Sequence, residues 1–342
     1  MKLLGPAKGF RKLIQGISVE DVQRSAALGF TILVTGPSLV DCLALVSHLA
    51  GTTGQFAGPN RTFRPVAWPV TPDRLDALKG VDLIVFVAGW HDEIPFSDLE
   101  ILRSSTRGLT PLVTVIHGHR LDESTGQKGN GPSGTFEKTV VLERLAPTPV
   151  VDQVVPAIVD LLPEHAVALG RAFPPFKQAA SAKVINDASW TNAKFAAISN
   201  VSAVVPIVGN LMAATADLIV LTRNQIVLLL KLAAIHGRDI HDQRSIYKEI
   251  LPVVGAAFIW RTVARETAAL IPGLLGAVPK IVIAYAGTYA VGQAATYYYD
   301  KGRKPPTQMI RSFYARAAEQ ASLRLTSLLP KGSHRPTHLE KE

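Results

Sequence analysis

A single cysteine, Cys42, occurs in the 342 residues. Neither a disulfide framework nor a multi-cysteine zinc or iron–sulfur site can form, and no oxidising compartment is required. Charge is also scarce: 18% of the residues are Asp, Glu, Lys or Arg, against roughly 25% in an average soluble domain. With 47% hydrophobic residues, disorder is excluded for the bulk of the chain. The apolar run Leu3-Leu4 ends after two residues, and Lys8, Arg11 and Lys12 follow, so a secretory leader is not expected. No H-E-x-x-H spacing occurs, and no G-x-S-x-G turn surrounds Ser38, Ser104, Ser105 or Ser133, which removes the best-defined zinc-hydrolase and serine-hydrolase arrangements.

The length suits two domains, since single cores stop growing near about 250–300 residues. Charge divides the chain in the same way. Residues 1–163 hold 15 Lys+Arg against 16 Asp+Glu, and residues 164–342 hold 21 against 11, so the basic excess is confined to the second half. That half is also the oilier one, and basic apolar helical sequence favours an anionic membrane surface over nucleic acid.

The first half alternates strands and helices. The spacing predicts a strand at 31–35, a tight turn at Gly36-Pro37-Ser38, and a helix carrying Leu39, Leu43, Val46 and Leu49. Residues 63–70 are a weaker strand, interrupted by Pro65 and Pro69. Val81 to Ala88 and Pro111 to Ile116 read as buried parallel strands, with a helix over 96–105 between them. A Gly/Ser-rich loop at 123–135, a last strand at 138–142 and a last helix at 151–162 complete a doubly wound, mostly parallel α/β sheet. In such a sheet, ligands bind beyond the carboxyl ends of the strands. The turns after Thr35, Ala88 and Ile116 are therefore the candidate site.

This order of elements over 25–163 resembles a small GTPase domain of the bacterial Era and TrmE type, but its motifs are degenerate. A phosphate loop G-x-x-x-x-G-K-[ST] cradles phosphate on backbone N–H groups, neutralises it with Lys and holds Mg²⁺ by a hydroxyl. Gly36 stands at the first glycine, whereas Asp41, Cys42 and Leu43 replace the Gly, Lys and hydroxyl residue. Trp68-Pro69-Val70-Thr71 stands where D-x-x-G is needed, and His117-Gly118-His119-Arg120 where N-K-x-D should read guanine. The resemblance implies a vestigial phosphate loop at Gly36, Pro37 and Ser38, with no bound cofactor. The alternative is a divergent GTPase that still takes GTP and Mg²⁺.

The second half is helical. Residues 198–222 hold one formal charge, Asp217, and residues 267–299 hold one, Lys280. Each stretch exceeds the ~20 residues that span a bilayer, but Pro206, Gly209, Pro272, Gly273, Gly276 and Pro279 cut them. Two readings fit: re-entrant hairpins in a membrane, or a compact helical domain with proline–glycine turns. Val205-Pro206-Ile207-Val208-Gly209, Leu251-Pro252-Val253-Val254-Gly255 and Ile271-Pro272-Gly273-Leu274-Leu275-Gly276 echo one another as such turns. These P-x-x-G starts, the run Leu228 to Arg238 and the ending Tyr289 to Tyr299 resemble the YcjF-like bacterial domain of unknown function, over about 110 residues. That resemblance implies membrane association; with no secretory leader expected, the chain is expected on the cytoplasmic side of the inner membrane, peripheral or integral, or alternatively in the cytoplasm.

The expected organisation is thus a basic segment (1–24), the α/β domain (25–163), a linker or helix (164–193), the helical domain (194–304), a last helix (305–330) and a disordered polar tail (331–342). Asp217 and Lys280 are expected to pair, because an unpaired interior charge is costly. Tyr297, Tyr298, Lys301, Arg303 and Lys304 have the aromatic-then-basic order of a membrane-interface anchor. His91, Asp92 and Glu93, with His117, His119, Asp122 and Glu123, could share one sheet edge, but they lack a fixed metal-ligand spacing and no metal is expected. Cys42 is expected to be an inert packed thiol. The overall expectation is a non-enzymatic, membrane-associated scaffold or regulator that contacts lipid or a membrane protein and no nucleic acid.

Overall fold

The computed structural model describes residues 19–51, 61–69, 80–93, 97–99, 102, 110–118, 137–201, 210–240 and 278–328. The chain divides into two compact units, Met1–Asn186 with Ile226–Ile250, and Asp187–Gln225 with Leu251–Glu342.

In the first unit, α1 (Val19–Ala27), β1 (Phe30–Gly36), α2 (Leu39–Ala50), β2 (Arg61–Ala67), β3 (Leu83–Gly89), β4 (Leu112–His117) and β5 (Lys138–Leu142) follow in order. The five strands form one parallel sheet ordered β2-β1-β3-β4-β5. This is the doubly wound order with its switch point between β1 and β3, so the α/β expectation holds. Pro65 cannot donate to a ladder, and it is tolerated because β2 is an edge strand. The central strands are apolar on both faces. Leu33, Ile84, Phe86, Ala88 and Leu112 pack with Leu99 and Leu102, while Ile32, Val34, Leu83, Val85 and Val87 on the opposite face have no exposed surface. Each such side chain contributes ~1.5–3 kcal/mol on burial.

A helix α3 over 147–161 follows, running through a π-helical turn, Val150–Val154, into Val155–Leu161. Next come α4 (Ala166–Ala172) and the first part of α5 (Lys177–Val201). Phe173 and Phe176 close over the sheet edge, their rings 4.8 and 6.1 Å from that of Phe63. Gly170 lets the helices meet, since a Cβ there would fall 2.7 Å from the Ala180 Cβ. Two arginines cap helix ends from within. Arg61 donates to the carbonyls of Ala26 and Leu28, and Arg171 to those of Ala234 and Arg238 at 3.1 and 3.0 Å. Burial, and secondarily the charge of Arg171, lower the Arg61 pKa.

The second unit is helical, as expected for the C-terminal half. It holds the end of α5, most of α6 (Asn210–Ile235), α7 (Val278–Lys301) and α8 (Thr307–Leu328). The short connection 302–306 folds α8 back along α7. Their contact is lined by small and aromatic residues, including Ala286, Ala290, Ala317, Ala321, Tyr285 and Tyr314, which allow close approach. Burial, then the neighbouring Tyr289, raises the Tyr285 pKa, partly opposed by Arg324. A polar network crosses three helices: Asn192 Nδ2 donates to Thr288 Oγ1 at 2.7 Å, Asn224 Nδ2 to Asn192 Oδ1 at 2.7 Å, and Thr288 Oγ1 to the Ala284 carbonyl at 2.9 Å. Among the described residues no helix is long and apolar enough to cross a membrane. The proline–glycine turns at 205–209, 251–255 and 271–276 and the tail at 331–342 lie outside the described residues. Pro279 sits in the first turn of α7, where a proline replaces no helical hydrogen bond.

Candidate functional site

The carboxyl edge at the switch point is where a ligand of this sheet would sit, and the chain's own groups occupy it. Gly36 ends β1 so close to β3 that an added Cβ would lie 1.9 Å from the Val87 carbonyl oxygen. The glycine is thus required by strand packing, with or without a phosphate. Pro37 makes the bend and Ser38 caps α2, its Oγ accepting the Asp41 N–H at 3.2 Å. A side-chain oxygen satisfies a donor that a phosphate loop leaves open.

Asp41 adds a second barrier. Its carboxylate stands in the first turn of α2, favourably placed for the helix dipole, and it lies 3.2 Å from Nε2 of His117 at the end of β4. The distance permits charge attraction when the imidazole is protonated, but Nε2 lacks the alignment of a hydrogen bond. A phosphate here would meet a carboxylate, and two such charges about 4 Å apart repel by ~4 kcal/mol at an effective dielectric of 20.

The position where a phosphate loop places its lysine is Cys42. It has no exposed surface and is enclosed in the core. Burial, then the charge of Asp41, pushes its thiol up to about 11. The expected reactivity is correspondingly low: iodoacetamide at neutral pH should leave Cys42 unmodified in the folded chain and alkylate it fully in denaturant. Rapid labelling of the native protein, read by intact mass, would refute this packing.

The turn after β3 is also closed on itself. Gly89 N–H donates to Asp92 Oδ2 at 2.7 Å, Asp92 N–H to the Gly89 carbonyl at 3.0 Å, and Trp90 N–H joins this turn to β4 through the His117 carbonyl at 2.7 Å. The structure therefore brings Gly36, Pro37, Ser38, Asp92 and His117 to one edge. His119, Asp122 and Glu123 lie outside the described residues. Among the described residues no group of three His, Cys, Asp or Glu side chains could hold a metal ion.

On its α2 side this edge presents apolar side chains to solvent, beside the exposed His91 and Glu93 of the turn after β3. Leu39 is 44% exposed, Val40 75% and Leu43 51%, all in the first turns of α2. The contact of Asp41 with His117 is not visible in the sequence, since nothing local links two residues on different elements.

Thr35 and Thr114 register with Phe86 from its two sides, both fully buried with hydroxyls that have no hydrogen-bond partner. Thr35→Val keeps the shape and removes an unsatisfied donor, so it should raise stability by ~1 kcal/mol, read as an increase in the urea midpoint at unchanged slope.

A separate groove of about 340 Å³ runs between α3 and α5, with Val151 and Asp152 of the π-helical turn on one wall and Lys183 on the other. Its second acid, Asp160, is held by Lys138 at 2.9 Å.

In the second unit Lys280 lies partly exposed in the first turn of α7, and Asp217 lies in α6 with its side chain outside the described residues; the expected pair is therefore not among the described contacts. Tyr297 and Tyr298 are half-buried near the end of α7, and Lys301, Arg303 and Lys304 are exposed. Comparison with family models, with curated proteins and with solved structures finds no match to this chain.

Proposed function

We propose that the chain is a non-enzymatic scaffold or regulatory protein that associates with the cytoplasmic face of a membrane, its α/β unit being a GTPase-like module that no longer binds nucleotide. One observation carries this reading. At the switch point Ser38, Asp41 and Gly36 are committed to capping, charge contact and strand packing, while the first turns of α2 expose Leu39, Val40 and Leu43 together. A clustered apolar surface suits contact with another protein better than contact with a phosphate. The basic excess of residues 164–342 and the sequence Tyr297 to Lys304 support the membrane part. The resemblance to GTPase-like domains in the order of elements, and to the YcjF-like domain in the P-x-x-G starts, supports both parts.

The test is equilibrium binding of fluorescent GTP, with Mg²⁺, to the full chain. No saturable binding up to millimolar nucleotide is expected. Micromolar, guanine-selective binding would overturn the proposal in favour of a divergent GTPase. Asp41→Asn serves as the probe variant, because it removes the repulsive carboxylate while leaving Gly36 and the core thiol untouched. A large gain of affinity in this variant would show that Asp41 alone keeps nucleotide out.

A further inference from the structure

The connection between α7 and α8 gathers four cations around a single neighbouring carboxylate, Asp300. Gly302, at φ +67°, closes α7 with its N–H on the Tyr298 carbonyl at 2.8 Å, the left-handed end that glycine makes at low cost. Buried Pro305 then fixes the connection. Lys301, Arg303 and Lys304 all face solvent, as does Arg311 at the start of α8. Because α8 folds back along α7, the four cations lie at the same end of the helix pair.

Among the described residues none of these four side chains has an ion-pair or hydrogen-bond partner. The other arginines of α8 are committed: Arg316 donates to the Ser312 carbonyl at 3.3 Å and lies 5.6 Å from the centre of the Phe313 ring, and Arg324 lies 5.6 Å from that of Trp190. Asp300 offsets one of these charges, and the excess of like charge that is left repels itself, so the cluster suits an external anion.

The shape of the patch selects among anions. It lies on exposed residues at one end of the helix pair, and along the outward face of α8 the charge gives way to exposed Ala315, Glu319 and Leu323. A nucleic-acid strand needs a longer basic track. The adjacent Tyr297, Tyr298 and Tyr299 are half-buried, and the last two rings meet edge to face at 5.7 Å, so they are already engaged in packing.

Resting on the membrane part of the reading above, we infer that Lys301, Arg303, Lys304 and Arg311 clamp the phosphates of anionic phospholipid headgroups and hold the helical unit on the bilayer surface by charge. Arg311 is the residue that the sequence pattern did not single out, since it belongs to the next helix and joins the cluster only through the turn.

The test is co-sedimentation of the full chain with vesicles of phosphatidylcholine alone or mixed with phosphatidylglycerol. Binding is expected only with the mixed vesicles and should weaken as salt is raised. Each neutralised cation should weaken it by about fivefold: R311Q by that factor, and the combined K301Q, R303Q, K304Q and R311Q variant by several hundredfold. R223Q, on α6, should leave it unchanged, and the melting curves of all variants should superimpose on that of the parent chain. Equal binding to both vesicles with R311Q unaffected would sink the clamp while leaving membrane association standing. Absence of binding to either vesicle would remove both. Displacement from vesicles by inorganic phosphate beyond that caused by chloride at equal ionic strength, or tighter binding to duplex DNA, would reassign the patch to a soluble anion and overturn the lipid assignment.

Discussion

Gly36→Ala should leave the sheet-bearing unit unable to fold to its native core. The methyl group would lie 1.9 Å from the Val87 carbonyl oxygen and 3.0 Å from its carbon, and the obstacle is backbone in a central strand. Overpacking against side chains costs ~1–3 kcal/mol because the neighbour can rotate away. Val87 cannot do this without breaking the register that pairs Thr35 with Phe86 on one side and Val87 with Val115 on the other. A loss of more than ~4 kcal/mol is therefore expected, a large share of a typical domain's stability. Urea unfolding followed by circular dichroism would measure it, and a variant within ~1 kcal/mol of the parent would show that β1 and β3 are not packed as described. The same geometry governs how activity data are read: loss of a function in a Gly36 variant reports lost strand packing before it reports a lost ligand.

Most of the first unit was legible because hydrophobic runs and breakers are local signals. The strand expected at 138–142 coincides with the observed Lys138–Leu142, and Pro65, which weakens the strand signal at 63–70, lies in an edge strand where its missing N–H is tolerated. The last helix of the first half, expected at 151–162, begins earlier because Pro147 and Pro149 suit a first turn, and the π-helical register at Val150–Val154 leaves no mark in apolar spacing. At the candidate site the identities of Gly36, Ser38 and Asp41 depart from the phosphate-loop pattern. They do not show what these residues contact, since the Ser38 cap, the His117 contact and the Val87 carbonyl come from tertiary geometry. In the second half, composition registered the basic excess, whereas the pairing of each cation depends on neighbours that only the fold supplies.

Asn192→Ala is expected to have the next largest effect, confined to the helical unit. Asn192 has no exposed surface, and its amide both donates to Thr288 and accepts from Asn224, so one truncation opens a cavity and strips two partners at once. Thr288 still donates to the Ala284 carbonyl and receives a long contact from Gln225 at 3.5 Å, which limits its loss. Asn224, only partly buried, can recover water. Combining the cavity with a weakened network gives a cost of ~2–4 kcal/mol. Asn192→Leu should cost as much, because it fills the space but leaves the amide of Asn224 and one lone pair of Thr288 facing carbon. Adding Thr288→Val and Asn224→Leu to Asn192→Leu should recover much of the loss, since replacing both partners of a buried polar contact is far cheaper than replacing one. Amide hydrogen exchange resolved by mass spectrometry would show the loss as faster exchange in 187–201, 219–225 and 280–325, with β1, β3 and β4 protected as before. Additive losses across the three substitutions would mean that the amides act independently and that α5, α6 and α7 are held in register by apolar packing alone.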